Sequence, residues 1–146
     1  MIKRKFVLLL AFMLIAGGAF ASPEKKQVIN TILDDSPTSI TGTWNTDDYK
    51  KVAFYIDYNE TDSGSVVSIA ITAHISHDGT NWISASWFDF SGGSTLQSSE
   101  TLTADGSYVG WFDWNMQIPY VRITITATGS SATELADVDG YIVGVR

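Results

Sequence analysis

The 146-residue chain has no cysteine, which excludes a disulfide-stapled framework. Histidine is almost absent. His74 and His77 are the only two, and three residues apart in a strand places them on opposite faces, a poor arrangement for shared zinc ligation. The chain also lacks a nucleophile elbow, a glycine-rich phosphate loop and a dinucleotide fingerprint. Its carboxylate pairs, Asp34-Asp35, Asp47-Asp48 and Asp137 with Asp139, are sequence neighbours. Glycoside hydrolysis needs carboxyls facing each other across a cleft. These absences predict a protein that is not an enzyme and uses no cofactor or metal.

Basic residues are scarce and lie partly in one place. Lys3, Arg4 and Lys5 precede an apolar run from Phe6 to Ile15, and Ala19-Phe20-Ala21 follows. A positive start, a short apolar stretch and a small-x-small site form a secretory leader. Cleavage after Ala21 leaves Ser22 first, so no lipid-anchored thiol is created. The expected location is secreted or at the cell surface, with the periplasm as another destination. Losing 21 of 146 residues leaves 125, the size of one domain. The mature chain keeps six basic residues against 16 acidic ones, a net charge of −10. Such a surface repels nucleic acid and anionic membranes. No later apolar run is long enough to span a bilayer.

What remains reads as strands. Val52, Phe54, Ile56 and Tyr58 alternate with Ala53, Tyr55 and Asp57. Val67, Ile69, Ile71, Ala73 and Ile75 form a second stripe, and Val121, Ile123, Ile125 and Ala127 a third. A period of two places one set on a buried face and the other toward solvent. Strands are predicted near 38–44, 51–59, 65–76, 81–90, 95–104, 107–115, 119–128 and 136–145. The Asp-Gly pairs 78–79 and 105–106 mark tight hairpins. About eight such strands predict an all-β, antiparallel β-sandwich of jelly-roll-like form. The domain plan is a leader at 1–21, an arm or edge strand at 22–36, and the sandwich at 37–146.

The sharpest local motif is Ser76-His77-Asp78-Gly79-Thr80-Asn81-Trp82. As a hairpin it needs Asp78 and Gly79 for the bend, Ser76 and Asn81 as loop hydrogen-bonding groups, and Trp82 over the base. At these residues the chain resembles small β-sandwich proteins of bacteriophage virions, where a Ser-x-Asp-Gly-x-x-Trp hairpin recurs. It is also similar to discoidin-type sugar- and surface-binding modules. Tyr120-Val121-Arg122-Ile123 is a second match to both groups. The resemblance implies a jelly-roll-like sandwich that works by binding or assembly, not chemistry. It departs from discoidin modules in lacking a framing cysteine pair.

Aromatic residues are abundant: five Trp, six Tyr and four Phe follow the leader. In 107–115, Tyr108, Phe112 and Trp114 share one face, and Val109, Trp111 and Asp113 the other. In 81–90, Trp87 lies with Ile83, Ala85 and Asp89, opposite Trp82, Phe88 and Phe90. A sheet with one wet face has little place for large rings on both. Trp44, Trp87 with Asp89, and Trp111 with Asp113 are therefore candidates for ligand binding or subunit contact. Gly110 is a candidate bulge. Val28, Ile29, Ile32 and Leu33 form a candidate arm for adding a strand to a neighbour's sheet. Together these features predict a structural subunit that self-associates outside the cell, with a polysaccharide-binding module as the alternative.

Overall fold

The computed structural model describes residues 23–34, 39–60, 68–90, 95–112, 118–128 and 135–146. The predicted leader and Asp113 lie outside the described residues. Eleven strands follow one another: β1 (Glu24–Asp34), β2 (Ser39–Asn45), β3 (Lys51–Glu60), β4 (Ser68–Ser76), β5 (Ile83–Ala85), β6 (Trp87–Asp89), β7 (Leu96–Gln97), β8 (Glu100–Leu102), β9 (Gly106–Trp111), β10 (Tyr120–Thr128) and β11 (Leu135–Val145). They form two antiparallel sheets facing each other across one core, a β-sandwich. Sheet A has the order β1-β11-β3-β9-β6-β7. Sheet B has the order β2-β10-β4-β5, with β8 also paired to β4.

The excess over eight strands has a physical origin. The predicted strand 81–90 is two: β5 pairs with β4 in sheet B, and after Ser86 the chain crosses to pair as β6 with β9 in sheet A. The predicted strand 95–104 returns the same way, from β7 in sheet A to β8 in sheet B. Strands that change sheets make the corners of a sandwich. The eleventh strand is β1.

That strand takes the edge position that the sequence offered for residues 22–36 as one of its two readings. β1 pairs with β11 of its own sheet from Glu24 to Asp34 and stands at the edge of that sheet. Ile29 and Leu33 are core residues, Val28 packs against the core, and Ile32 is 60% exposed. The register shifts between Gln27 and Ile29, which puts a bulge at Val28. There β1 lies against β2: a Cβ on Gly42 would stand 2.7 Å from the Val28 carbonyl oxygen. The predicted bulge at Gly110 is absent. β3 and β9 pair in unbroken register from Ala53–Trp111 to Tyr58–Gly106.

The period-two stripes face inward. Phe54, Ile56, Tyr58, Ile69, Ile71, Val121, Ile123, Ile125 and Ile142 are almost fully buried. Phe54 sits among rings, 5.2 Å from Trp87, 6.1 Å from Tyr108 and 5.9 Å from Phe112. One end of the core is covered by Trp44 and Tyr49, 4.9 Å apart. The Tyr49 hydroxyl donates to Glu24, and Arg146 lies 3.6 Å from the same carboxylate. The Glu24 carboxylate raises the Tyr49 pKa above its ordinary value, with burial adding to it.

The motif at 76–82 is a structural turn. The Asp78 carboxylate accepts from the backbone N–H groups of Asn81 and Thr80, both at 2.8 Å, and from the Asn81 side chain at 2.6 Å. Ser76 Oγ accepts from the N–H of Gly79 at 2.9 Å. Gly79 has φ +76°, which L side chains adopt rarely. Trp82 lies beneath Arg122, whose guanidinium is 4.4 Å from the ring centre.

These bonds, led by the backbone donors of Asn81 and Thr80, hold the Asp78 carboxyl well below the usual carboxylate range. A depressed pKa means the unfolded state binds protons first. The hairpin's contribution is therefore present above the unfolded carboxylate value and is lost as pH falls through and below about 4. Asp78→Ala is expected to lower the thermal midpoint at neutral pH and to flatten the acid limb of the midpoint-against-pH curve. Thermal melts across an acid pH series check this. An unchanged acid limb would mean that other carboxylates control it.

Candidate functional site

The outer faces of the two sheets follow opposite rules. On sheet B the outward residues are mostly hydroxylated, with Arg122, His74 and Tyr120 among them and the Trp82 ring against Arg122. Thr43, Arg122, His74 and Ser84 form one cross-strand row, and Thr41, Thr124 and Thr72 the next. Ser39 and Thr126 hydroxyls are 2.7 Å apart, and those of Thr41 and Thr124 are 3.2 Å apart. This is the wet face expected of an antiparallel sheet.

Sheet A's outward face is aromatic. Directly opposed residues in an antiparallel pair share a face. One row runs Leu96, Phe88, Trp111, Ala53, Val143 and Lys25 across all six strands. The next runs Val109, Tyr55, Tyr141 and Gln27. Phe88 and Trp111 stack at 4.6 Å with their planes 26° apart. Tyr55 and Tyr141 are 5.8 Å apart, and the Lys25 ammonium lies 3.5 Å from the Tyr141 ring centre. Leu96 is 57% exposed at the margin.

Charge is graded along this face. Lys51 and Lys25 lie toward one end of the strands. Toward the other end lies a polar row of Ser107, Asp57, Asp139 and Asn30, and beyond it Asn59, Asp137 and Ile32. Asp57 and Asp139 face each other directly across β3 and β11, an arrangement that like charges disfavour. Neutral donors temper it: Ser107 Oγ donates to Asp57 at 2.9 Å, and Gln27 and Asn30 donate to Asp139 at 2.7 and 3.0 Å. Burial and then the neighbouring Asp139 charge push the Tyr141 hydroxyl above its ordinary pKa. Burial does the same to Tyr55, and its hydrogen bond to Ser107 acts in the opposite direction.

The structure separates the candidate residues. Trp111 stands on the outer face, half-buried against Phe88. Trp87 does not: it is fully buried and donates from Nε1 to the Tyr108 hydroxyl at 2.8 Å. Asp89 pairs with Gly110 on the same inward side, away from Trp111. Trp44 is 8% exposed and closes the core end. Trp44 and Trp87 are thus corrected from contact residues to interior ones, because their strand faces point at the opposite sheet. Tyr55, Tyr141, Phe88, Lys25 and Asp57 were not candidates in the sequence, and Asp137 with Asp139 was weighed there only as a carboxylate pair. The available signal was that Ala53, Tyr55 and Asp57 occupy the side of the 51–59 stripe predicted to be wet.

Among the described residues no group of three or more His, Asp or Glu residues is arranged to hold a metal ion. Among the same residues no helix is long and apolar enough to cross a membrane. The fold and face define an antiparallel β-sandwich whose sheet A carries rows of stacked aromatic rings on its outer surface. No family model and no curated protein matches the chain. Among solved structures it is similar to a chain from the "Structure of infectious bursal disease virus Gx strain", with a TM-score of 0.46 and 11% identity. The match covers 86% of this chain and 34% of that one, so this chain spans about a third of its length.

Proposed function

We propose that this chain is an exported, non-enzymatic structural subunit that acts through contact, and that sheet A's outer face is the contact surface. The observation that carries this reading is the two rows of paired rings on sheet A's outer face, Phe88 with Trp111 and Tyr55 with Tyr141. Rings on the outer side of a sheet in a single domain expose apolar area that another surface can cover. The resemblance at the 76–82 hairpin to phage virion proteins and discoidin-type modules, which work by assembly or binding, supports the same reading. The leader supports action outside the cytoplasm.

A polysaccharide platform is the weaker reading. Of its three tryptophans only Trp111 is on the surface. One face of that ring is already taken by Phe88, and side chains standing off a sheet in stacked pairs present edges more than faces.

Light scattering and negative-stain microscopy of residues 22–146 test the proposal. Oligomers are expected for the mature chain. Phe88→Thr with Trp111→Thr should reduce them to monomers and cost roughly 1–2 kcal/mol of stability, because threonine suits strands and the pair is not in the core. A native chain that stays monomeric at every concentration overturns the assembly reading. A monomer whose tryptophan fluorescence shifts with polysaccharide would replace it with the binding-module reading.

A further inference from the structure

We infer that the outer face of sheet A docks on the same face of a second copy, about a two-fold axis running across the strands. This inference rests on the assembly reading and adds its geometry. The charge pattern supplies the occupant and the orientation. The mature chain carries −10 overall, so two copies repel at long range and can meet only where their surfaces are locally complementary. Sheet A's outer face is complementary to itself. Lys51 lies at one end with Lys25 in the adjoining Trp111 row, and Asp57, Asp139 and Asp137 lie at the other end beyond the Tyr55–Tyr141 row.

Two dyads can bring this face onto itself. An axis along the strands keeps each end over its own kind, lysine on lysine and aspartate on aspartate. An axis across the strands reverses their direction. Lys25 of each copy then lies over Asn30 of the other, beside Asp139, Lys51 lies over Asn59, beside Asp137, and the Tyr55–Tyr141 row lies over itself. The second arrangement brings the partner's lysines toward the opposed pair Asp57 and Asp139, whose hydrogen-bond donors among the described residues are neutral. The contact is isologous and closes as a dimer. At its widest the face measures roughly 24 Å across strands and 27 Å along β3. That is the scale of a standard interface of about 800 Å² per partner.

Two charge-reversed proteins test the orientation by sedimentation. Lys25→Glu with Lys51→Glu makes the face wholly acidic, and Asp57→Lys with Asp139→Lys makes it predominantly basic, with Asp137 left in place. Each alone is expected to weaken dimerisation about tenfold or more, while an equimolar mixture forms the heterodimer. The second pair is decisive because it moves the net charge of the mature chain from −10 to −6. Overall repulsion then falls, so any general charge effect would tighten the dimer. If that protein does not fold, Asp57→Asn with Asp139→Asn removes the carboxylates with little change in shape, and weaker dimerisation is again expected. Dimers that persist or tighten with the aspartates replaced, or variants that fail to pair when mixed, overturn the two-fold arrangement and leave assembly standing. A native chain that is always monomeric overturns both.

Discussion

Trp87→Ala is expected to lower the folding free energy by about 4 kcal/mol, which is the range for removing a buried indole. The side chain is fully buried, packs edge-on against Phe54 at 5.2 Å and donates to Tyr108 at 2.8 Å. Its loss opens a cavity and takes a donor from the Tyr108 hydroxyl, which is itself largely buried. Burial pushes that hydroxyl's pKa up to about 12, so at neutral pH Trp87 donates to an uncharged oxygen. With a total stability of roughly 5–15 kcal/mol for a domain of this kind, and no disulfide to support it, the variant sits near the edge of unfolding. Trp87→Phe should cost less, because it keeps a ring against Phe54 and loses chiefly the hydrogen bond, about 1 kcal/mol, and some volume. Urea unfolding of both variants checks the order. A loss below about 0.5 kcal/mol for Trp87→Ala, the size seen at surface positions, would mean that the indole is not in the core.

The period of two made much of this molecule legible in the sequence. It placed β3, β4, β10 and β11 within a few residues and set Tyr108 and Phe112 opposite Trp111, because a strand's side-chain alternation is local geometry. It could not say which of two opposite faces was the inner one, since that depends on which sheet lies across the core. Trp87 and Trp111 were therefore equivalent on paper, and only one is outside. The crossing at Ser86 was hidden for a related reason. Nothing in Ser84-Ala85-Ser86-Trp87 differs from a continuous strand, and the break is imposed by pairing first with β4 and then with β9. The aromatic face was hidden because its pairs are remote in sequence. Tyr55 meets Tyr141, and Phe88 meets Trp111, only once β3, β6, β9 and β11 are in register.

Gly110→Ala carries the second large expected effect, a loss of about 3 kcal/mol or more from overpacking. A methyl group there would stand 2.5 Å from Cδ1 of Trp87 and would press into the Phe54 ring. Neither ring can retreat, because both are fully buried and each packs against the other. The backbone cannot retreat either, since Gly110 is held between Phe54 of β3 and Asp89 of β6. Had Gly110 been a bulge, a methyl group at an unpaired position would cost little, so the measurement separates the two accounts. Phe54→Leu combined with Gly110→Ala should recover part of the loss, a non-additivity expected only of residues in contact. The same substitution reaches the outer surface. Gly110 points inward so that Trp111, the next residue, points outward onto Phe88, and shifting β9 to relieve the clash would move that stack. Gly110→Ala is therefore expected to weaken assembly even in conditions where the chain remains folded. Light scattering at a temperature well below its midpoint would show this. Assembly at native strength from a destabilised but folded Gly110→Ala protein would mean that the Phe88–Trp111 pair is not part of the contact.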